Sequence, residues 1–364
     1  MRIKKYLAVM VAGAMLLGGC SGSSSEKETA TAAKTETAAE SKEAESTEPE
    51  TTAVEETSEV EPEDKGGFKV EGTKLLDANG NEFVMRGINE AHCWFKDQDG
   101  VSLKAISEAG CNCVRIVCGS GQKYSADAVY TLKTLINVCK NLNMVAILEA
   151  HDGTGDNSIE MLEDIADYWI SVKDAYVGKE EYVILNIANE WYGNWSDIGT
   201  WAEGYETVIP KLREAGIENT IMVDAAGWGQ YADSIAEYGQ EVFDSDPLKN
   251  TMFSVHMYGA AGKNENTIRK AIEGATDEGL CICVGEFGYK HSDGDVDEAY
   301  IMQYCTENDI GYLGWSWKGN GGGVEYLDIS NDWEGKNLSP DWGEVLINGE
   351  YGIKNTSKIC SIFE

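Results

Sequence analysis

Eight short apolar runs, rich in Val, Ile and aromatic residues, recur along the chain at intervals of about 30–40 residues, and each is nearly continuous rather than alternating. They cover residues 83–89, 113–118, 144–151, 182–190, 220–226, 252–258, 280–287 and 310–317. An alternating strand is buried on one face, whereas a continuous run is buried on both, as in a parallel sheet covered by helices. The segments between the runs carry helical spacing. Val129, Leu132, Leu135, Ile136 and Cys139 share one helix face, as do Ile159, Leu162, Ile165, Trp169 and Val172, with Ser158 placed to cap the second helix. Eight strand–helix units in about 280 residues predict an α/β fold, a (β/α)8 TIM barrel. An open doubly wound sheet is the rival, but no Gly-x-Gly-x-x-Gly follows the first run. Phe68-Lys69-Val70, Asn79-Gly80 and Phe83 predict a small hairpin ahead of the barrel, turning at Asn-Gly.

The folded domain is expected over residues 66–364, and two segments precede it. Arg2, Lys4 and Lys5 open the chain, an apolar stretch covers residues 6–17, and Leu17-Gly18-Gly19-Cys20 follows. A membrane-spanning helix needs about 20 apolar residues, so this shorter stretch reads as an export signal. Its end resembles the lipobox of bacterial lipoproteins, which implies a signal peptide over residues 1–19 and lipidation at Cys20. Residues 20–64 hold fourteen acids against Lys27, Lys34 and Lys42, no aromatic residue, and only Val54 and Val60 as large aliphatics. Such a composition buries too little apolar surface to offset its ordering entropy. Residues 20–65 are therefore expected to be a disordered acidic linker. The implied location is the extracellular face of a bacterial cell membrane, reached only through the lipid anchor.

Lys and Arg total 29 against 63 Asp and Glu, a formal net charge of −34. A phosphate backbone or an anionic headgroup would be repelled, which excludes nucleic acid and leaves neutral or cationic partners. Nine cysteines remain after Cys20, and Cys111-Asn112-Cys113 and Cys281-Ile282-Cys283 each place two thiols on one side of a strand. Neither pair has the matched second pair or histidines of a zinc site, and buried Cys behaves as a small hydrophobe. The glycine-rich residues 319–323 lack the Lys-Ser/Thr of a phosphate loop. No metal, no cofactor and a monomeric chain are expected.

Barrel chemistry gathers at the C-terminal ends of the strands. Those ends read Arg86-Gly87-Ile88-Asn89-Glu90-Ala91-His92, Val114-Arg115-Ile116, Glu149-Ala150-His151-Asp152, Asn189-Glu190-Trp191, Val255-His256-Met257-Tyr258, Gly285-Glu286-Phe287-Gly288 and Gly314-Trp315-Ser316-Trp317. Two of the apolar runs, the fourth and the seventh, finish at or beside a glutamate. Buried acids are uncommon unless paired or functional, and cleavage of a glycosidic bond needs two carboxyl groups flanking one anomeric carbon. Trp94, Trp191, Trp195, Trp228, Trp315 and Trp317 all follow or end strands, where aromatic rings could stack on sugar faces.

With these residues the sequence resembles the clan A retaining glycosidases, specifically glycoside hydrolase family five, over residues 67–364. The resemblance implies that Glu190 is the acid/base and Glu286 the nucleophile, and that Arg115 supports Glu286. It implies that His151 lines the cleavage subsite, that Asn189 holds the 2-hydroxyl of the attacked sugar, and that His256 and Tyr258 attend the two carboxyls. Trp315 would be the platform under that sugar, followed by a cis peptide to Ser316. His92 and Trp94 are expected to touch substrate. The motifs around Asn89, Gly285 and Trp315 resemble the bacterial endo-β-1,4-mannanase branch, which implies neutral β-mannan as substrate. Glu90 departs from the histidine expected there, placing the departure in the glycone subsites. A β-1,4-glucanase on the same scaffold and a non-catalytic glycan-binding lipoprotein remain as alternatives.

Overall fold

In the computed structural model the described residues are 66–364; the signal segment, the linker and Cys20 lie outside them. Strands β1 (Lys69–Glu71) and β2 (Lys74–Leu76) pair as an antiparallel hairpin. The barrel strands are β3 (Arg86–Glu90), β4 (Cys113–Cys118), β5 (Val145–Ala150), β6 (Val183–Asn186), β7 (Ile221–Asp224), β8 (Thr251–Met257) and β9 (Ile282–Phe287). A two-residue ribbon, β10 (Lys290–His291) with β11 (Gly294–Asp295), precedes the last barrel strand, β12 (Gly311–Gly314). All eight barrel pairings are parallel, and β12 closes the ring by pairing with both β3 and β9.

Helices α1 (Asp99–Glu108), α2 (Val129–Asn141), α3 (Ile159–Ser171), α4 (Gly199–Glu214), α5 (Asp233–Ser245), α6 (Glu265–Thr276), α7 (Glu298–Glu307), α8 (Gly343–Asn348) and α9 (Ile353–Thr356) complete the domain. The spacing read for α2 is what the fold uses, since Leu132, Leu135, Ile136 and Cys139 are its buried residues. Ser158 caps α3 by accepting the N–H of Met161.

Alternation along the strands divides the packing. Ile88, Val114, Ile116, Leu148, Val223 and Val284 join the layer shared with the helices. Cys113, Val145, Ile147, Ile184, Met222, Met252, Cys283 and Leu313 fill the lower barrel, together with Phe68, Val70, Leu75 and Phe83 from the N-terminal segment. That segment is a plug, and Asn250 fastens it by accepting from the N–H of Val70 at 3.1 Å and donating to the carbonyl of Phe68 at 2.9 Å. Two residues further up the same strands the side chains change character. Arg115 follows Cys113, Glu149 follows Ile147, Asn186 follows Ile184 and Asp224 follows Met222, all buried. The lower barrel is apolar and the upper barrel is charged.

Two local features differ from the sequence reading. The hairpin turns at Gly72, whose φ is +59°, and the Asn79-Gly80 turn comes later, leading to an isolated bridge between Leu76 and Glu82. Asp77 governs that second turn, its carboxylate accepting the N–H groups of Asn79 and Asn81. The fourth barrel strand also stops at Asn186, so residues 187–190 form a loop rather than a strand end.

Strand β9 carries one extra residue. Val284 pairs with Val255 but Glu286 pairs with His256, and the partner on the other side shifts likewise. Gly285 is the residue between, and a Cβ there would lie 2.1 Å from the Ser254 hydroxyl. A bulge of this kind re-aims the next side chain, and here it turns Glu286 into the barrel. Phe68→Ala should lower the unfolding free energy by ~3–5 kcal/mol, seen as an earlier urea midpoint, whereas Phe68→Leu should cost less than about 1.5 kcal/mol.

Candidate active site

The upper barrel is organised by one guanidinium. Arg115 is fully buried, and each of its five N–H groups has an acceptor. Nε donates to Asn186 at 2.8 Å, Nη1 to Asn89 at 2.9 Å and Glu286 at 2.8 Å, and Nη2 to Asn189 at 2.8 Å and Asp224 at 3.3 Å. Asn89, Asn186 and Asp224 are site residues that the sequence reading passed over. Each is a single polar residue inside or ending an apolar run, and its meaning appears only when register brings it beside Arg115, as Asn89 is paired with it directly.

Glu286 takes a second donor from the Tyr258 hydroxyl at 2.9 Å. Burial, with the Glu286 charge beside it, pushes the Tyr258 phenol well up, so it stays a donor. Glu190 is held differently. It sits in the left-handed region at φ +47°, and its backbone N–H donates to Asp224 at 3.0 Å. A non-glycine residue in that region is strained unless its surroundings fix it, and the Asp224 bond is one such constraint. Its carboxyl faces His256 Nδ1 at 2.9 Å. Burial raises the Glu190 carboxyl above its ordinary value; the hydrogen bond to His256 opposes that and the charge of Glu286 adds to it.

His256 mediates between the acids. Nδ1 lies 3.5 Å from Glu286, and Nε2 lies 3.4 Å from Asp224, a charge contact rather than an aligned hydrogen bond. Burial works against a charged ring, but Glu286, Asp224 and Glu190 outweigh it and push the imidazole up to about 10. Burial likewise acts against the Asp224 charge, and His256 and Arg115 overcome it, holding that carboxyl below its usual range. One oxygen each from Glu190 and Glu286 and a nitrogen of His256 lie within 4.8 Å of one another. These atoms are close enough to share protons.

A cleft of about 360 Å³ opens over the cluster, with His151, Asn189, Glu190, Tyr258, Glu286 and Trp315 in its walls. Asn189 is fixed from both ends, its oxygen on Arg115 and its NH2 donating to Thr154 at 2.9 Å. His151 places Nδ1 2.9 Å from Glu149 and stacks near-parallel to Trp315 at 5.8 Å. The Trp315–Ser316 peptide is cis, as the resemblance implied, and so is Trp191–Tyr192. Trp228 stands at the cleft on a turn where Gly227, Trp228 and Gly229 all have positive φ. Gly229 lies so close to the His256 ring that a Cβ would come within 2.6 Å of Cγ.

His92 does not reach the cleft. It is fully buried, with Nδ1 2.8 Å from Asp99 and Nε2 3.1 Å from Asp127, leaving no ring nitrogen for a sugar. Burial opposes its charge, but the hydrogen bonds to Asp127 and Asp99 push it up to about 9. Trp94 is exposed at the rim, edge-on to His151 at 5.0 Å. Glu90 is buried, and its carboxyl meets Ser102 of α1, so the departure noted there lies behind the barrel wall rather than in the subsites. Trp191 and Trp317 are core residues, and Trp195 is exposed against Tyr231.

Residues 76–321 match the family described as Cellulase (glycosyl hydrolase family 5). The chain is 52% identical to a mannan endo-1,4-beta-mannosidase of Salipaludibacillus agaradhaerens over 82% of its own length and 96% of that protein. It is 40% identical to a mannan endo-1,4-beta-mannosidase of Streptomyces lividans, covering 82% and 78%. Among solved structures it resembles the beta-mannanase of Thermomonospora fusca with a TM-score of 0.77 at 39% identity, covering 82% of this chain and 99% of that one.

Because the imidazolium holds the Glu190 carboxyl down, His256→Asn should let that carboxyl titrate at a higher pH than in the wild type. Carbon-detected NMR of the glutamate carboxyl groups checks this.

Proposed function

This chain belongs to glycoside hydrolase family 5, and from that membership and the cleft geometry we propose that it is an endo-β-1,4-mannanase acting with retention of configuration. The observation that carries the chemistry is the pair of carboxyls brought within 4.8 Å, one of them protonated more readily than usual and the other clasped by Arg115 and Tyr258. Retaining enzymes hold these groups ~5–5.5 Å apart, while inverting ones leave room for a water between them at ~6.5–9.5 Å. Glu190 donates its proton to the glycosidic oxygen as Glu286 attacks the anomeric carbon. The covalent mannosyl-enzyme is then released when Glu190 takes a proton from water.

The environments divide the labour. Arg115 and Tyr258 orient the Glu286 oxygens and leave its attack direction fixed. His256 stabilises the anion that Glu190 becomes after protonating the leaving group. Asn189, locked between Arg115 and Thr154, presents its amide to the 2-hydroxyl, and Trp315 lies under the sugar ring. The paired carboxyls and the groups that hold them favour an enzyme over a non-catalytic glycan-binding protein. The preference for mannan over glucan rests on relatives whose names state that activity, the first at 52% identity.

For the N-terminal segment we propose a lipoprotein: cleavage before Cys20, lipidation of its thiol, and an acidic spacer that holds a monomeric catalytic domain off the cell membrane. The basic start, short apolar stretch and Leu17-Gly18-Gly19-Cys20 support this reading.

Glu190→Gln should lower kcat on β-mannan by ~10²–10⁴-fold, and Glu286→Gln should abolish hydrolysis, both with an unchanged far-UV circular dichroism spectrum. Proton NMR of the first product should show the β-anomer, and release of the α-anomer would overturn the retaining assignment. Activity on galactomannan and glucomannan should exceed that on carboxymethylcellulose. Cys20→Ala should move the activity from the membrane fraction to the medium.

A further inference from the structure

Glu149 is not needed to donate, attack or bind a sugar in the reaction just described, yet it occupies the centre of the upper barrel. It projects from β5 and is fully buried. One oxygen meets His151 Nδ1 at 2.9 Å, and the other has no hydrogen-bond partner among the described residues. Arg115 is 3.9 Å away, but all five of its N–H groups are committed to other acceptors. His151 is thus the one hydrogen-bond donor to this carboxylate among the described residues. An unpaired buried carboxylate is costly, and a neutral ring would leave Glu149 close to that condition.

The charges of the whole cluster point the same way. Glu149, Asp224 and Glu286 are three anions once Glu190 holds its proton. Arg115 and His256 supply two cations, and the third is His151. With both imidazoles charged and Glu190 protonated, the cluster is neutral in the state that begins the reaction. We propose that Glu149 is a positioning residue that pins the Nδ1–H of His151 and keeps the ring a cation, so that Nε2–H is offered as a donor to a hydroxyl of the sugar being cleaved.

The groups facing His151 are Glu149 from β5, Glu286 from β9, Arg115 from β4 and Glu190 from the loop after β6, with Trp94, Tyr124 and Trp315 as uncharged walls. The thiols of Cys93 and Cys118 lie near Glu149, and burial keeps them neutral. Burial acts against the His151 charge, and Glu149 and then Glu286 outweigh it, against the opposing charge of Arg115. Nε2 has no protein partner among the described residues, and the ring forms part of the cleft wall.

The inference rests on the reading of the cleft as a glycosidase site, and its test separates the two. Glu149→Gln keeps the size of the side chain and an acceptor for Nδ1–H but removes the charge. In that variant His151 should titrate lower than in the wild type, because burial and Arg115 then oppose the ring's charge with only Glu286 against them. Its kcat/KM on soluble glucomannan should approach the wild type at the acid end of the profile and fall at a lower pH than the wild type, about tenfold per pH unit once the ring has lost its proton. Glu149→Asp, which keeps the charge, should retain the wild-type alkaline profile. A loss equal at every pH, or an unchanged profile, would overturn the proposal. Proton NMR of the wild-type chain gives a check independent of turnover and of variant folding, because there are only four histidines to assign. His151 must titrate above about 6.5, and a value at or below that rejects the role of Glu149 whatever the enzyme hydrolyses.

Discussion

The guanidinium of Arg115 is the constraint on which the upper barrel depends. A buried cation must find partners for every N–H and enough negative charge to replace lost hydration. Arg115 meets both needs by drawing acceptors from β3, β6, β7, β9 and the loop after β6. Because the guanidinium is flat and its donors point in fixed directions, each acceptor is fixed in direction as well. Glu286 and Asn189 are therefore aimed by the same group that holds the strand ends together. A lysine could match the charge but not the five directions, so catalytic geometry and local stability are joined at this position.

Around that centre two departures from regular structure bring the carboxyls together. The extra residue at Gly285 turns Glu286 inward, and only glycine fits between Ser254 and the chain there. The left-handed turn at Glu190 lifts its side chain over His256 while Asp224 holds the backbone N–H. Regular strands could not have done this, because alternation places successive side chains on opposite faces. Irregular backbone at the site is therefore the device that sets the distance between the two carboxyls. The apolar lower barrel, plugged by Phe68 and Val70, supplies the rigid base against which such irregularity can be held.

The barrel was legible because it rests on a short-range signal. Continuous apolar runs and helical spacing are local, and they located seven of the eight strands to within a few residues, with β6 ending short of its run. The two glutamates were legible because a charge at the close of an apolar run is rare. What escaped notice was set by register across strands. Asn89, Asn186 and Asp224 look like tolerated polar residues until the closed sheet stacks them on Arg115. Glu90 was misplaced for the same reason: Asn89 faces the axis, so its neighbour must face α1. His92 was misread because its place after the first strand run says nothing of Asp99 and Asp127, which α1 and the loop after β4 bring in to enclose it.

Charge balance explains why so many ionisable groups can share so small a volume. Isolated burial of any one of Glu149, Asp224, Glu286, Arg115, His151 or His256 would cost several kcal/mol, yet with both imidazoles charged, as proposed, they compensate when Glu190 carries a proton. In the proposed reaction, the first step removes that proton and simultaneously converts Glu286 from an anion into an ester. One negative charge appears at Glu190 as another vanishes at Glu286, a few ångströms away and beside the same imidazolium. The cluster thus stays neutral through the chemical step, and the surrounding groups need not rearrange to follow the charge. That is the condition under which preorganised groups are most effective, and it follows from which side chains face the barrel axis.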